Sequence, residues 1–441
     1  MAVSTQAARA SSMDLALPVP APALRWTVQA VLSGILFAGG YLYGCVAPLA
    51  KVLATQLGFS NMDIGLLQAM SSLPDLGMVL VGGIIIDRIG TRRSAFLFSN
   101  ICLGGAVLTA LSPRLGVMAA GRFVYGLGAG SLSVAVSTMI AKWFRGPRLG
   151  FSYGLILTFH RIGALAAQTG PAWAGWAYAH WRTPLLLAVA VAAASLAGAG
   201  IYGMLESRTG APCGPDPGRG EAAGFSWRGQ WRFGPSYWLV ILLSVTYFAG
   251  ILPFQTFAQK FFIEAHRLSP ARASMLAGIP IFIAMAASPL GGLLADRIGR
   301  RALLMAAGTA LLAPVYLMLG YGRTGLVLPM VMMGVSFALV PTILYPAVML
   351  IVPAERMGKA MALMQWVLSM GLLGFNFLIG WSNDAAGAGE ANPGGYRPGM
   401  WLFSASILAA LGLAVALWRR ETGPRGHGLE NAKGDRHVPE S

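Results

Sequence analysis

Two short charged stretches, 209 residues apart, constrain this chain more than any other feature. The first is Gly83-Ile84-Ile85-Ile86-Asp87-Arg88-Ile89-Gly90-Thr91-Arg92-Arg93. The second is Gly292-Leu293-Leu294-Ala295-Asp296-Arg297-Ile298-Gly299-Arg300-Arg301. Gly83, Asp87, Arg88, Gly90 and Arg92 fall on Gly292, Asp296, Arg297, Gly299 and Arg301 after that single shift. Each copy ends one long apolar run and begins another. A charged hairpin between apolar helices, present twice at one spacing, implies two similar halves. Arg148-Leu149-Gly150 and Arg356-Met357-Gly358 repeat the echo 208 residues apart.

Of the 441 residues 56% are hydrophobic and only 11% charged, where a soluble domain carries about 25% charged. Apolar runs of about 20 residues recur along the chain, each able to cross a bilayer core of ~30 Å. The expectation is an all-α polytopic membrane protein. Twelve spans begin near Trp26, Asp63, Ser94, Gly116, Gly150, Thr183, Tyr237, Ala271, Ala302, Leu326, Gly358 and Met400. The expected layout is a tail at 1–25, a six-helix bundle at 26–205 and a linker at 206–235. A second bundle at 236–418 and a tail at 419–441 follow. The first 24 residues lack a long apolar core, so they read as a disordered tail and not a signal peptide.

The net charge of +16 reads as topology-setting loops in a lipid bilayer and not as a nucleic-acid surface. Loops after even-numbered spans and the tails hold 22 of the 32 Lys and Arg residues, against 8 on the other side. That bias puts both termini and the linker in the cytoplasm. The three cysteines are far apart and in no metal-like spacing, which argues against a disulfide framework. Arginine outnumbers lysine 27 to 5, as a GC-rich bacterial genome would give, and hence a plasma (inner) membrane.

With these residues in place the chain resembles the major facilitator superfamily. The hairpin Gly-x-x-x-Asp-Arg-x-Gly-x-Arg-Arg between spans two and three, echoed between eight and nine, is that superfamily's most specific motif. The resemblance covers about residues 26 to 420 and implies two pseudo-symmetric six-helix bundles. A narrower likeness is to the lysosomal dipeptide transporter branch. It rests on Gly121-Arg122-Phe123-Val124-Tyr125-Gly126-Leu127-Gly128, Ser131-Leu132, Trp143-Phe144-Arg145-Gly146 and Arg161-Ile162-Gly163. Leu252-Pro253-Phe254, Phe261-Phe262, Ser288-Pro289, Val352-Pro353 and Met364-Gln365 add to it.

The resemblance makes Asp87 a conformational latch toward the start of span eleven; the alternative is that Asp87 and Asp296 only organise tight turns. Arg161 lies about eleven residues into span five, ~16 Å from the cytoplasmic end. An arginine at that depth faces a cavity or a partner. The branch places a substrate-carboxylate arginine here; the competing role is an ion pair bracing helices. Asp75 lies twelve residues before Asp87, ~18 Å along its helix, at matching depth. It is a candidate for substrate or proton binding, or a structural carboxyl. The branch has a glutamate, read as binding the substrate amine, in the slot occupied here by Gly130.

Arg122 is read near the outer face, either as part of a motif of proton-linked members or as snorkelling to the interface. Gly170-Pro171-Ala172-Trp173-Ala174-Gly175 partly resembles an antiporter motif of span five. His160 could titrate near neutral pH. Tyr43, Tyr247, Gln255, Tyr345, Gln365 and Trp366 are polar-tipped residues within spans, candidates for a cavity lining or for packing between helices. The sequence holds no Walker loop and no nucleophile constellation, so neither enzymatic chemistry nor a cofactor or metal is expected. The expected function is alternating-access transport of a small-molecule substrate, a carboxylate-bearing solute such as a short peptide or amino-acid-like compound. The runner-up is proton-coupled efflux of drugs or metabolites. A third class is a non-transporting receptor or accessory subunit.

Overall fold

The computed structural model describes residues 22–144, 147–209, 233–322, 325–352, 356–423, 426–427 and 429–430, leaving some side chains within them undescribed, those of Asp75, Asp87 and Asp296 included. Most of both tails and of the expected linker falls outside these residues. The first half contains α1 (Pro22–Gly44), α2 (Ala50–Leu57), α3 (Asn61–Ser72), α4 (Asp75–Leu111) and α5 (Leu115–Trp143). It continues with α6 (Pro147–Gln168), α7 (Gly170–Trp173) and α8 (Arg182–Thr209), so helix runs past the expected edge of the bundle at 205. The second half contains α9 (Pro235–His266), α10 (Pro270–Ile298), α11 (Arg301–Leu312) and α12 (Val315–Tyr321). α13 (Val327–Ile351), α14 (Met357–Ala385) and α15 (Arg397–Glu421) complete it.

Ten helical stretches among the described residues are long and apolar enough to cross a membrane. Polar or broken helices carry the other two of the twelve spans. One is α3 with the start of α4, interrupted at Leu73–Pro74. The other is α6, which carries His160, Arg161 and Gln168.

The repeated hairpins need their second glycine. Gly90 sits at φ 79° and Gly299 at φ 75°, left-handed backbone that strains any residue with a Cβ. Arg88, Arg92 and Arg297 are exposed on the same face. Lys142 donates to Thr91 Oγ1 (3.2 Å) at the first hairpin. At the second, the Arg301 N–H donates to the Leu429 carbonyl (3.0 Å). The Glu430 carboxylate accepts from the Ala302 and Leu303 amides (2.8 and 3.1 Å). A helix N-terminus favours such a carboxylate, although burial pushes its pKa up.

One apolar core is built from α1 to α8 and the other from α9 to α15, the latter joined by Ala50 and Ile64 of the first half. The halves are tied at the face away from the hairpins, called here the far face. Asp384 of α14 accepts from the Asn61 amide (2.8 Å), Asn61 Nδ2 (2.8 Å) and the Met62 amide (2.7 Å) at the start of α3. Lys260 donates to Asn61 Oδ1 (2.5 Å). Lys51 pairs with Glu264 (2.9 Å) and Glu390 (3.1 Å), and Tyr396 donates to the other Glu264 oxygen (2.5 Å). These bonds close the far face between the two bundles.

Two glycines bring α1 and α6 together. A Cβ on Gly40 would overlap the His160 carbonyl, and one on Gly163 would overlap the Phe37 carbonyl. Small residues let membrane helices approach to backbone contact, and this crossing fixes the turn that holds His160 and Arg161. Gly163→Ala is expected to destabilise the protein by about 1–3 kcal/mol, the usual cost of overpacking, read as a lowered unfolding midpoint in detergent. An unchanged midpoint would show that the crossing is not tight.

Candidate functional site

Between the halves lies a cavity of about 230 Å³. Its polar wall is Tyr43, Gln68, His160, Arg161, Gln168 and Gln255, with Thr256 beside them. Leu252, Ile281 and Phe337 make the apolar wall. Side chains thus come from α1, α3 and α6 of one half and from α9, α10 and α13 of the other. The volume is below the roughly 300–1,000 Å³ of drug-sized ligand sites, so it suits a small solute.

Arg161 crosses the junction. Its Nη1 donates to the Ser288 hydroxyl (2.7 Å) and the Ala284 carbonyl (3.1 Å), both on α10. Ser288 also bonds the Ala284 carbonyl (2.5 Å). Pro289 follows, and its missing N–H weakens the helical ladder at this turn. A guanidinium has five N–H donors in a planar fork, so two bonds from one nitrogen leave donors for a carboxylate. His160 bonds the Leu36 carbonyl through Nδ1 (3.2 Å). A carbonyl only accepts, so Nδ1 carries the proton.

Gln168 ties the site across the halves. Its Nε2 donates to the Gln255 carbonyl (3.5 Å), and Gln259 Nε2 donates to the Gln168 carbonyl (2.6 Å). Thr256 donates to Asn376 Oδ1 (3.3 Å) one residue beyond Gln255. Pro253 breaks the helical ladder just before.

Of the residues expected at a cavity, Arg161, Tyr43 and Gln255 come together here, joined by His160, which the sequence marked only as a titratable group. Tyr247 does not line the cavity; it is buried in the second core, bonded to Ser336 (2.8 Å). Tyr345 is 37% exposed near the hairpin-side end of α13. Gln365 and Trp366 are half-buried on α14 and outside the lining. The helix break at Leu73–Pro74 makes Asp75 the first residue of α4. The carboxylates of Asp75 and Asp87, on which the binding and latch readings turn, lie outside the described side chains.

Arg122 corrects the snorkelling reading. It is 2% exposed, donates to the Leu42 (2.7 Å) and Tyr43 (3.3 Å) carbonyls, and stacks on Tyr125 at 5.0 Å. These carbonyls end α1, where four C=O groups lack helical partners, so the arginine is drawn inward as a cap. The Gly170–Gly175 stretch is also displaced from span five proper. It leaves α6 as a separate short helix followed by a 3₁₀ turn, with Gly170 against the Tyr178 ring.

Sequence reasoning missed Gln68, Gln168 and Thr256, and the far-face group of Asn61, Glu264 and Asp384. A signal for them existed: amides and carboxylates inside or at the ends of otherwise apolar spans.

A family model described as the Major Facilitator Superfamily matches residues 32–264 and 239–440. A lysosomal dipeptide transporter, MFSD1, of Danio rerio is 29% identical over 370 residues, covering 80% of this chain and 79% of the relative. Its Homo sapiens counterpart is 27% identical over 368 residues, 80% of this chain and 78% of the relative. A probable sulfoacetate transporter, SauU, of Cupriavidus necator is 24% identical over 276 residues, 58% of this chain and 61% of the relative. Among solved structures, a point variant of the nucleoside transporter NupG superposes with a TM-score of 0.72 at 14% identity, over 89% of this chain and 99% of that one. A bacterial homologue of the human lysosomal transporter Spinster, inward-facing and unoccupied, gives 0.70 at 16% identity, over 90% and 98%. At these identities the structures support the fold alone.

Proposed function

The chain belongs to the Major Facilitator Superfamily, and we propose that within it this protein moves a small carboxylate-bearing solute by alternating access. The observation that carries the reading is Arg161, a guanidinium lining the cavity where the halves meet. Rocking the two bundles about a midplane site is how such folds expose one cavity to each side in turn. The relatives named for dipeptides and for sulfoacetate transport solutes that share a carboxylate. Short peptides and amino-acid-like compounds are therefore the first substrates to test.

Asp75 takes the amine-binding or proton-accepting role that Gly130 leaves open. Gly126 packs so tightly on Ser71 and Pro74 that the helix break lies one turn from Gly130. The hairpins, with Asp87 as latch, govern the conformational equilibrium and not affinity. The linker face is cytoplasmic, in a bacterial plasma membrane. Burial of Arg122 as a helix cap speaks against its part in the proton-coupled efflux alternative.

The test is uptake into proteoliposomes of radiolabelled alanylalanine and pyroglutamate, with uridine as the neutral control. Uptake of a carboxylate, absent for uridine, is expected. Uptake of uridine alone, or of nothing, would overturn the reading. A reporter fused after Ser441 is expected to give a cytoplasmic signal.

A further inference from the structure

The side chain of Gln255 is buried in the cavity wall, and neither its Nε2 nor its Oε1 has a hydrogen-bond partner. Buried polar groups are nearly always paired, because an unmet donor or acceptor carries its full desolvation cost. Two unmet atoms on one carboxamide, facing a cavity, imply that something else meets them. The backbone around it is held: its carbonyl by Gln168, and its neighbour Thr256 by Asn376.

A carboxamide edge presents one acceptor and one N–H donor side by side in a plane. Its complement is an edge with N–H and C=O on the same side. Primary amides, ureido groups and lactams have that edge. An ordinary trans peptide bond does not, since its N–H and C=O point opposite ways. We propose that Gln255 is a specificity residue that reads the syn amide edge of a small solute whose carboxylate is held by Arg161. Nε2 donates to the ligand carbonyl, and Oε1 accepts from the ligand N–H. The small cavity of about 230 Å³ fits such a compact molecule. This inference rests on the carboxylate reading of Arg161 and adds a second recognition point to it.

The test compares three ring carboxylates of nearly one shape on the purified full chain: pyroglutamate, its lactone analogue 5-oxotetrahydrofuran-2-carboxylate, and cyclopentanecarboxylate. Only the first has the N–H. Wild-type protein is expected to bind pyroglutamate about five- to tenfold more tightly than the lactone, the effect of one net hydrogen bond and one rescued acceptor. In Gln255→Met, which keeps the length and loses both polar atoms, the ratio is expected to fall to about one. The wild-type ratio requires no variant to fold and decides the matter alone if the variant is unstable. A wild-type ratio near one, or a ratio that persists in Gln255→Met, overturns the role of Gln255 while leaving Arg161 untouched. Failure of all three ring carboxylates to bind overturns this proposal, and failure of alanylalanine to bind as well overturns the Arg161 reading with it.

Discussion

Arg161→Gln is expected to yield a folded protein that binds carboxylate solutes at least 100-fold more weakly than the wild type. Hydrogen bonds to charged groups contribute about 1.5–3 kcal/mol each, and a forked guanidinium makes two at once. Losing both amounts to about 3–6 kcal/mol, or at least two decades of affinity. The fold should survive because glutamine can still donate to Ser288, which with Ala284 accepts the described Arg161 bonds. Arg161→Lys keeps the charge and loses the planar fork, so its loss should be intermediate. Titration of each variant with pyroglutamate, followed by thermal stabilisation, gives the comparison. Wild-type affinity in Arg161→Gln would show that the arginine only braces α6 against α10.

Asp384→Ala is expected to open the far face. One carboxylate there accepts three hydrogen bonds from the opposite half. Two of them come from backbone amides at a helix start, where anions are favoured. The remaining cap of α3 is its own Ser60–Asp63 box, so the helix itself should persist. At about 1.5 kcal/mol per charge-assisted bond, the change weakens the closed state by about 4.5 kcal/mol. The far-face-open population should then rise by about three orders of magnitude. A cysteine replacing Gln68, in a background without Cys45, Cys102 and Cys213, reports on this. Its labelling by an impermeant maleimide from the far side should increase steeply with Asp384→Ala. Unchanged labelling would mean that Lys51–Glu264 and Lys260–Asn61 hold the face shut without it.

The repeated hairpins and the span order were legible because their signals are local. Gly90 and Gly299 are required by backbone geometry, and a rise of 1.5 Å per residue turns position into depth. Counting residues therefore brought Arg161 to the level of the cavity. What counting could not supply is rotation about the helix axis. Lipid and protein core are equally apolar, so a span such as α9 carries little amphipathic signal to say which side faces a cavity. Tyr247 and Gln255 lie two turns apart on α9, yet one packs against Ser336 and the other lines the cavity. Arg122 shows a second limit. It lies in the first turns of α5, but its partners are carbonyls of α1, a tertiary contact with no mark in its own segment. The partners of Asp384 were invisible for the same reason: they lie 322 and 323 residues away.

On the proposed function Arg161 holds a substrate carboxylate and is not one half of a structural pair with Asp75. Removing one member of a buried pair strands the other charge, whereas removing both can be nearly neutral. The decisive measurement is uptake of radiolabelled alanylalanine and pyroglutamate by proteoliposomes containing wild-type protein, Arg161→Gln, and Arg161→Gln with Asp75→Asn. Uptake by the wild type and none by either variant is expected. Recovery of stability and uptake in the double variant would contradict it.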